Sequence, residues 1–596
     1  MLTLPRDRRP IFLAMFVSLI SLVGHLILWA VEHSPDLAAL AFPDERNYYL
    51  AASHLIRQQG LSFFLTPRSL WNGPINPLWV WLCQEDAIQV KCFNLGLVAF
   101  SGFLLWDSTW RLFSLRAAFI VLVVWSVHPP LTVFGPTLLS EPPFLFLLAL
   151  SLLLVVRSAT VASAHQRLFC AGLGGLAFAL ATLTRPTLQL FPFLLLLVGG
   201  ILLLFPQTRP TTRAILGPLV TFAASFFFLI APYCLKNLIW LDKLGIANGS
   251  GAVLYLGNDL RKDGDEPLYS GMQFDTGEIT KTYTHLDNEG DRALTHATLA
   301  IMRTFPRQIV ALTIRKVARF LFGSPRAYFY PQRDGISFFK QHYLGRSAMV
   351  FLEIALVIFV SCFGIVGLFC LPLSLPLRLF SGSLAFYLII LHSLMFPIPR
   401  LALPLFLVLL PFGAGLITNA SYVFLRRSTW AVTTVISFIV ILSGCIKKPW
   451  VDKDYPSFFP SLITIEAGRP SAILHARLDT SGCFIATDRE SPSISFHLPS
   501  IDPQSNQVVF ITLKANSTGH KRPRNPELRL HWSSSEQFSA TSSITTAFAF
   551  SPESRTFMFT PALSSEWTKE VSFVRFDLPT KAAGARYCIE KIEIRK

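Results

Sequence analysis

Residues 138–156 read "LLSEPPFLFLLALSLLLVV": an acid and two prolines, then an apolar run with no charge in it. A segment this apolar reads as a helix crossing a bilayer, because a helix satisfies its own backbone groups where lipid offers none. A spanning helix needs roughly 20 mostly apolar residues, and the pattern recurs along the chain. Eleven candidate spans lie at about 11–31, 88–108, 116–134, 142–156, 168–184, 188–205, 214–232, 347–371, 381–396, 401–425 and 429–446. The composition agrees: 596 residues, 52% hydrophobic and only 15% charged, with 52 Phe, where a soluble domain averages nearer a quarter charged. The first span is too long, and too poorly followed by small residues, for a removed signal peptide. It reads as a retained anchor.

The placement of Lys and Arg in short loops orients such a chain. With the N-terminus in the cytoplasm, that side collects Arg6, Arg8, Arg9, Arg111, Arg116, Arg157, Arg167, Arg209, Arg213, Arg378, Arg426 and Arg427. The opposite short loops hold almost none, and Arg185 and Arg400 are their exceptions. Eleven spans leave the C-terminus outside. The expectation is a bacterial inner (plasma) membrane protein with its outer parts in the periplasm or exterior. The net charge of +16 is partly this bias and partly a basic outer surface, so nucleic acid is not an expected partner.

Two domains are expected. Residues 1–446 form a polytopic α-helical membrane domain that includes outer loops 32–87 and 233–346; residues 447–596 form an extracytoplasmic β-sandwich. The first loop, with "PRSLWNGPINPLWVW", suits short helices lying in the interface, where Trp is favoured. The second turns helical at "DRALTHATLAIMRTFPRQIVALTIRKVARFLFG", with Pro306 in the first turn of its second helix. The tail switches to short alternating stretches such as "QVVFITLKA", "ELRLHWS" and "VSFVRFDLP", the period of half-buried strands. Of the nine cysteines, Cys170, Cys234, Cys362, Cys370 and Cys445 fall in or beside spans as small packing residues. Cys83 with Cys92, and Cys483 with Cys588, are two candidate pairs for oxidation outside the cytoplasm.

An acid pair in the first outer loop, followed by aromatics and a Pro-rich re-entry into the membrane, resembles the GT-C superfamily of membrane glycosyltransferases. The nearest branches are the protein O-mannosyltransferases and the lipid A aminoarabinose transferases. The residues that carry the resemblance are "DERNYY" at 44–49, "GPINPLWVW" at 73–81, "LLSEPPFLFLL" at 138–148 and "ALATLTRP" at 179–186. "RTFPRQIVALTIRKVARF" and "PRLALPLFLVLLP" at 399–411 complete the series. It spans about residues 10–430 and is carried by order and topology rather than by any one motif. The tail is not covered, although its last strands look like jelly-roll modules attached to bacterial sugar enzymes.

The resemblance implies a sugar donor linked to a polyprenyl phosphate, an acceptor hydroxyl on a glycan, glycolipid or protein, and inversion by direct displacement. Phosphate is a good leaving group, so the chemistry needs a base for the acceptor proton and cations for the departing phosphate. By carry-over Asp44 is the base and Glu45 supports it. Taken alone, an Asp-Glu pair is equally a solvated turn or a first helical turn, where acids complement the dipole. Arg400, Arg185 and Lys316 are the candidate phosphate ligands, since Arg grips phosphate through two hydrogen bonds. Their plainer roles are snorkelling to headgroups and, for the face holding Arg315, Lys316 and Arg319, headgroup contact by an interfacial helix. Glu141 and Tyr48 are candidates for the acceptor side or cavity; Glu141 also suits a helix start capped by Ser140. No cofactor and no metal ligand is assigned; a divalent metal stays open, because the resemblance implies a superfamily of which parts bind one. His54, His285, His296, His342 and His392 share no ligand spacing. Two rival functions remain: a transporter or flippase of lipid-linked sugars, which would show paired broken helices, and a non-catalytic membrane scaffold that binds glycans.

Overall fold

Apolar length and proline placement account for most of the helix boundaries in this chain. The computed structural model describes residues 9–33, 37–38, 40, 43–54, 60–258, 279, 286–322, 343–395, 397, 399–419, 461–466, 470–478, 483–487, 492–501, 508–516, 527–533, 543–547, 551–559, 571–578 and 586–595. These fall in two compact units, one helical and one made of strands.

Nine helical segments among the described residues are long and apolar enough to cross a membrane. They lie in α1 (Arg9–His33), α4 (Ala87–Leu112), α7 (Glu141–Thr160), α8 (Ala164–Thr184), the stretch Pro186–Leu204 that contains α9 (Phe191–Leu204), α10 (Arg209–Leu241), α14 (Tyr343–Cys370), α15 (Leu375–Leu394) and α16 (Pro399–Thr418). The chain is an integral membrane protein. The expected span at 116–134 is instead two short helices, α5 (Leu115–Val127) and α6 (Pro129–Phe134), parted at His128. The physical reason is the Pro129–Pro130 pair: a residue before proline is pushed out of helical geometry, and His128 has ψ 115°. The expected span at 429–446 lies outside the described residues.

The turns expected on the cytoplasmic side carry many of the arginines. Asp107 near the end of α4 pairs with Arg111 at 2.9 Å and with Arg157 of α7 at 3.2 Å, tying two such turns together. On the other side the first outer loop folds into α2 (Pro43–His54), two short 3-10 turns at Gly60–Leu65 and Pro67–Trp71, and α3 (Ile75–Leu82). The second outer region contributes α11 (Ser250–Gly257), α12 (Asn288–Thr304) and α13 (Pro306–Phe322), the last opening on Pro306 as expected. Buried Asp291 of α12 holds the start of α11, accepting the N–H groups of Gly249 and Gly251 at 3.0 and 2.7 Å and pairing with Lys243 at 2.8 Å.

The second unit is a pair of antiparallel sheets. One runs β3 (Ala476–Leu478), β4 (Phe484–Ala486), β11 (Arg586–Arg595), β6 (Val508–Asn516), β9 (Ser551–Phe559), with β1 (Ser461–Glu466) also on β11. The other runs β2 (Ala472–Leu474), β5 (Ser493–Ile501), β10 (Val571–Asp577), β7 (Glu527–Ser533), β8 (Ser543–Ala547). Their inner faces share one core, which includes Phe484, Val509 and Ile511 from the first and Ile494, Trp532 and Val574 from the second. Cys483 and Cys588 are disulfide-bonded, whereas Cys83 and Cys92 are both free.

Candidate active site

Four charged side chains from four distant stretches of sequence meet within the helical unit. Asp44 stands in the first turn of α2, behind Pro43. Its Oδ2 accepts from Nη2 of Arg400 at 2.8 Å. Nε of the same arginine lies 3.7 Å from Oε1 of Glu141, and that oxygen also pairs with Arg185. The order is Asp44, Arg400, Glu141, Arg185, with two acids and two bases that cancel in charge. Asp44 is the most open of the four, its side chain 41% exposed against 4% for Glu141.

Local chemistry explains where three of the four stand. Asp44 and Glu141 are acids in first helical turns, complementing the dipole. Arg185 follows the last residue of α8 and precedes Pro186, which holds it extended (ψ 116°) and ends the helix there. Arg400 is the exception. A cation in the first turn of α16 opposes that helix's dipole, so its position is set by the two carboxylates rather than by its own helix.

Around this cluster the backbone is pinned from several sides. Glu45 turns away from Asp44 into the interior, fully buried, and its Oε1 accepts the Leu138 N–H at 2.7 Å. The Leu138 carbonyl accepts from Asn76 Nδ2 at 3.0 Å, and the Thr137 carbonyl from Asn94 Nδ2 at 2.6 Å. Trp79 Nε1 in turn donates to Asn94 Oδ1 at 3.0 Å. The segment leading to Glu141 is thereby fixed by α2, α3 and α4 together. Gly73 presses the first loop against the end of α8: a Cβ there would stand 2.3 Å from the Leu183 carbonyl oxygen, two residues before Arg185.

Tyr48, one turn beyond Asp44, donates its hydroxyl to Ser140 Oγ at 3.2 Å. Burial first, then the nearby Asp44, pushes this phenol up to about 12, so it stays a neutral donor. Ser140 does not cap α7 with its side chain; that oxygen serves Tyr48.

The expected site residues therefore divide. Asp44, Arg400, Glu141 and Arg185 come together with Tyr48 beside them, and Glu45 lies behind as support. Lys316 does not join them. It is fully buried on α13, and its Nζ donates to the carbonyls of Gly257 and Met395 at 3.0 and 2.8 Å and to Asn258 Oδ1 at 3.2 Å. It closes the C-terminal ends of α11 and α15, where a cation is favoured, and burial pushes its ammonium down to about 7. Asn76 and Asn94 are the residues that sequence reasoning passed over, and Ser140, expected as a cap, accepts from Tyr48 instead. Glu353, an acid inside the span Phe351–Cys370, was a legible signal too; it lines a small cavity with His128, Arg319 and Ser361. Among the described residues no group of three or more His, Cys, Asp or Glu is arranged to hold a metal ion.

No protein-family model and no curated protein matches the chain. Solved structures do. ArnT from Cupriavidus metallidurans bound to undecaprenyl phosphate aligns at 16% identity over 68% of this chain and 77% of its own, with a TM-score of 0.31. Its apo state aligns at 15% identity over 67% and 76%, with a TM-score of 0.29. The archaeal oligosaccharyltransferase AglB from Archaeoglobus fulgidus, in complex with an inhibitory peptide and a dolichol-phosphate, aligns at 12% over 72% and 55%, with a TM-score of 0.35.

Proposed function

We propose that the chain is a membrane glycosyltransferase that moves a sugar from a polyprenyl-phosphate donor to an acceptor hydroxyl outside the cytoplasm, with Asp44 as base. The observation that supports this most is the meeting of Asp44, Glu141, Arg185 and Arg400 at one place. It puts a half-exposed carboxylate against one guanidinium, with a second joined to it through Glu141, the pair of functions the transfer needs. The acceptor O–H gives its proton to Asp44, and its oxygen bonds to the anomeric carbon from the face opposite the leaving group. The bond from that carbon to the phosphate oxygen breaks, and the electron pair leaves with the polyprenyl phosphate. Arg400 and Arg185 hold that phosphate as its charge grows. The anomeric configuration inverts because there is one displacement.

The acceptor is a glycan, glycolipid or protein at the outer face, and the cluster faces the periplasm or exterior, in keeping with the arginine bias of the opposite turns. Transfer of labelled sugar from a polyprenyl-phosphate donor by purified protein tests the reading. Wild type should transfer and Asp44→Asn should not. Near-normal transfer by that variant removes Asp44 from the role of base.

A further inference from the structure

Arg400 is asked to serve two anions. Its Nη2 donates to Asp44 Oδ2 at 2.8 Å, and the side chain is 17% exposed, so a ligand can reach it. The other acid of the cluster does not depend on Arg400 alone, because Glu141 keeps Arg185 as partner if Arg400 turns. Among the described residues the ion pair made by Asp44 is with Arg400. A carboxylate oxygen that is already accepting from a guanidinium has fewer lone pairs left for an acceptor hydroxyl. A guanidinium held by a carboxylate is likewise a poorer partner for phosphate.

We propose that the Asp44–Arg400 pair is a switch thrown by the donor: the arriving phosphate takes Arg400, and the parting of the pair uncovers Asp44 as base. The proposal rests on the glycosyltransferase reading above and adds an order to it. Donor binding precedes proton removal from the acceptor, so the base is exposed when a sugar is there to receive the attacking oxygen. The movement needed is a rotation of one long side chain at the start of α16. No covalent step is added. One guanidinium is exchanged between two anions, while Glu141 and Arg185 stay paired.

The switch makes Asp44 an internal competitor of the donor. Removing its charge should abolish transfer and yet tighten binding of the lipid phosphate, opposite to what loss of an ordinary site residue does. The measurement is the dissociation constant of a polyprenyl phosphate for full-length protein in nanodiscs, with thermal stability of each variant followed alongside. Asp44→Asn should bind roughly fivefold tighter than wild type, the scale of a partly exposed ion pair. Arg400→Gln should bind more weakly. In the Arg400→Gln background, adding Asp44→Asn should change nothing, because the competition runs through that arginine. Unchanged or weaker binding by Asp44→Asn overturns the switch. Tightening that persists without Arg400 also overturns it, because the effect is then a charge acting at a distance. Should Asp44→Asn not fold, Asp44→Ser carries the same expectations. A wild-type protein that binds no polyprenyl phosphate sinks the glycosyltransferase reading itself, and the switch with it.

Discussion

Asp44 and Glu45 are neighbours in sequence with separate work. Asp44 reaches Arg400 at the open end of the cluster, and fully buried Glu45 accepts a backbone N–H. Asp44→Asn keeps the size of the side chain but cannot take a proton. Transfer should fall by a factor of about 10² or more, the usual scale of general-base help, with thermal stability unchanged. Glu45→Ala should do the reverse, costing about 1–3 kcal/mol of stability because it leaves the Leu138 N–H unpaired in the interior. Glu45→Gln keeps an acceptor oxygen and should cost less; equal damage from both variants would refute the hydrogen-bonding role. Arg185→Ala and Arg400→Ala each remove a cation from the cluster. Donor affinity should drop roughly ten- to a hundredfold in each, the scale of a charge-assisted contact. Unchanged affinity in both would return them to headgroup contacts. The division into base and support came from the resemblance, but the physical form of the support did not: the two residues lie about 100° apart on α2, and only the packing of that helix shows that Glu45 faces inward to the Leu138 N–H.

At the scale of elements, the site depends on how the first loop meets the membrane helices. Gly73→Ala puts a methyl group where the Leu183 carbonyl stands. The loop must then shift from the end of α8, out of register with Arg185. A lower melting temperature and weaker polyprenyl-phosphate binding should appear together, and normal values of both would show that the contact is dispensable. Lys316 governs a different junction, closing α11 and α15 from α13. Its ammonium is lowered from 10.5 to about 7 by burial, so between these values the unfolded chain binds a proton that the folded one does not. Stability therefore rises with pH from about 7 towards 10 through this group. Melting curves at pH 7 and 9 should show that gain in wild type and not in Lys316→Met; a parallel response of the two proteins would refute it. A basic helix is easily read from its sequence as headgroup contact. Lys316 escapes that reading because it lies on the same face as the buried Leu312 and Phe320.

For the molecule as a whole, orientation and the tail make the test. From the arginine bias we propose that both the second outer region and the strands lie outside the cytoplasm. Reporters fused at Ser270 and at Lys596 should both give an extracytoplasmic signal; cytoplasmic signal at either overturns the topology. The Cys483–Cys588 bond spans 105 residues of the strand unit. Its removal by Cys483→Ser should destabilise that unit by about 2–5 kcal/mol, measurable as a lower unfolding midpoint that reducing agent reproduces in wild type.

The sequence by itself determined the membrane character, the two kinds of architecture and the order of the polar motifs. These are properties of composition and period: apolar length makes spans, and alternation makes strands. Arg185 and Arg400 stood out as exceptions to the charge bias of the short loops, Glu141 as an acid at the start of an apolar run, and Asp44 through the family resemblance of its surroundings. Tertiary structure alone decided that these four meet. Asp44 and Arg400 are separated by 356 positions, and no local pattern encodes a contact between helices so far apart. It also decided that Lys316 belongs to a helix junction and which cysteines pair. Each of these depends on which side chains share a space, and that is settled by packing.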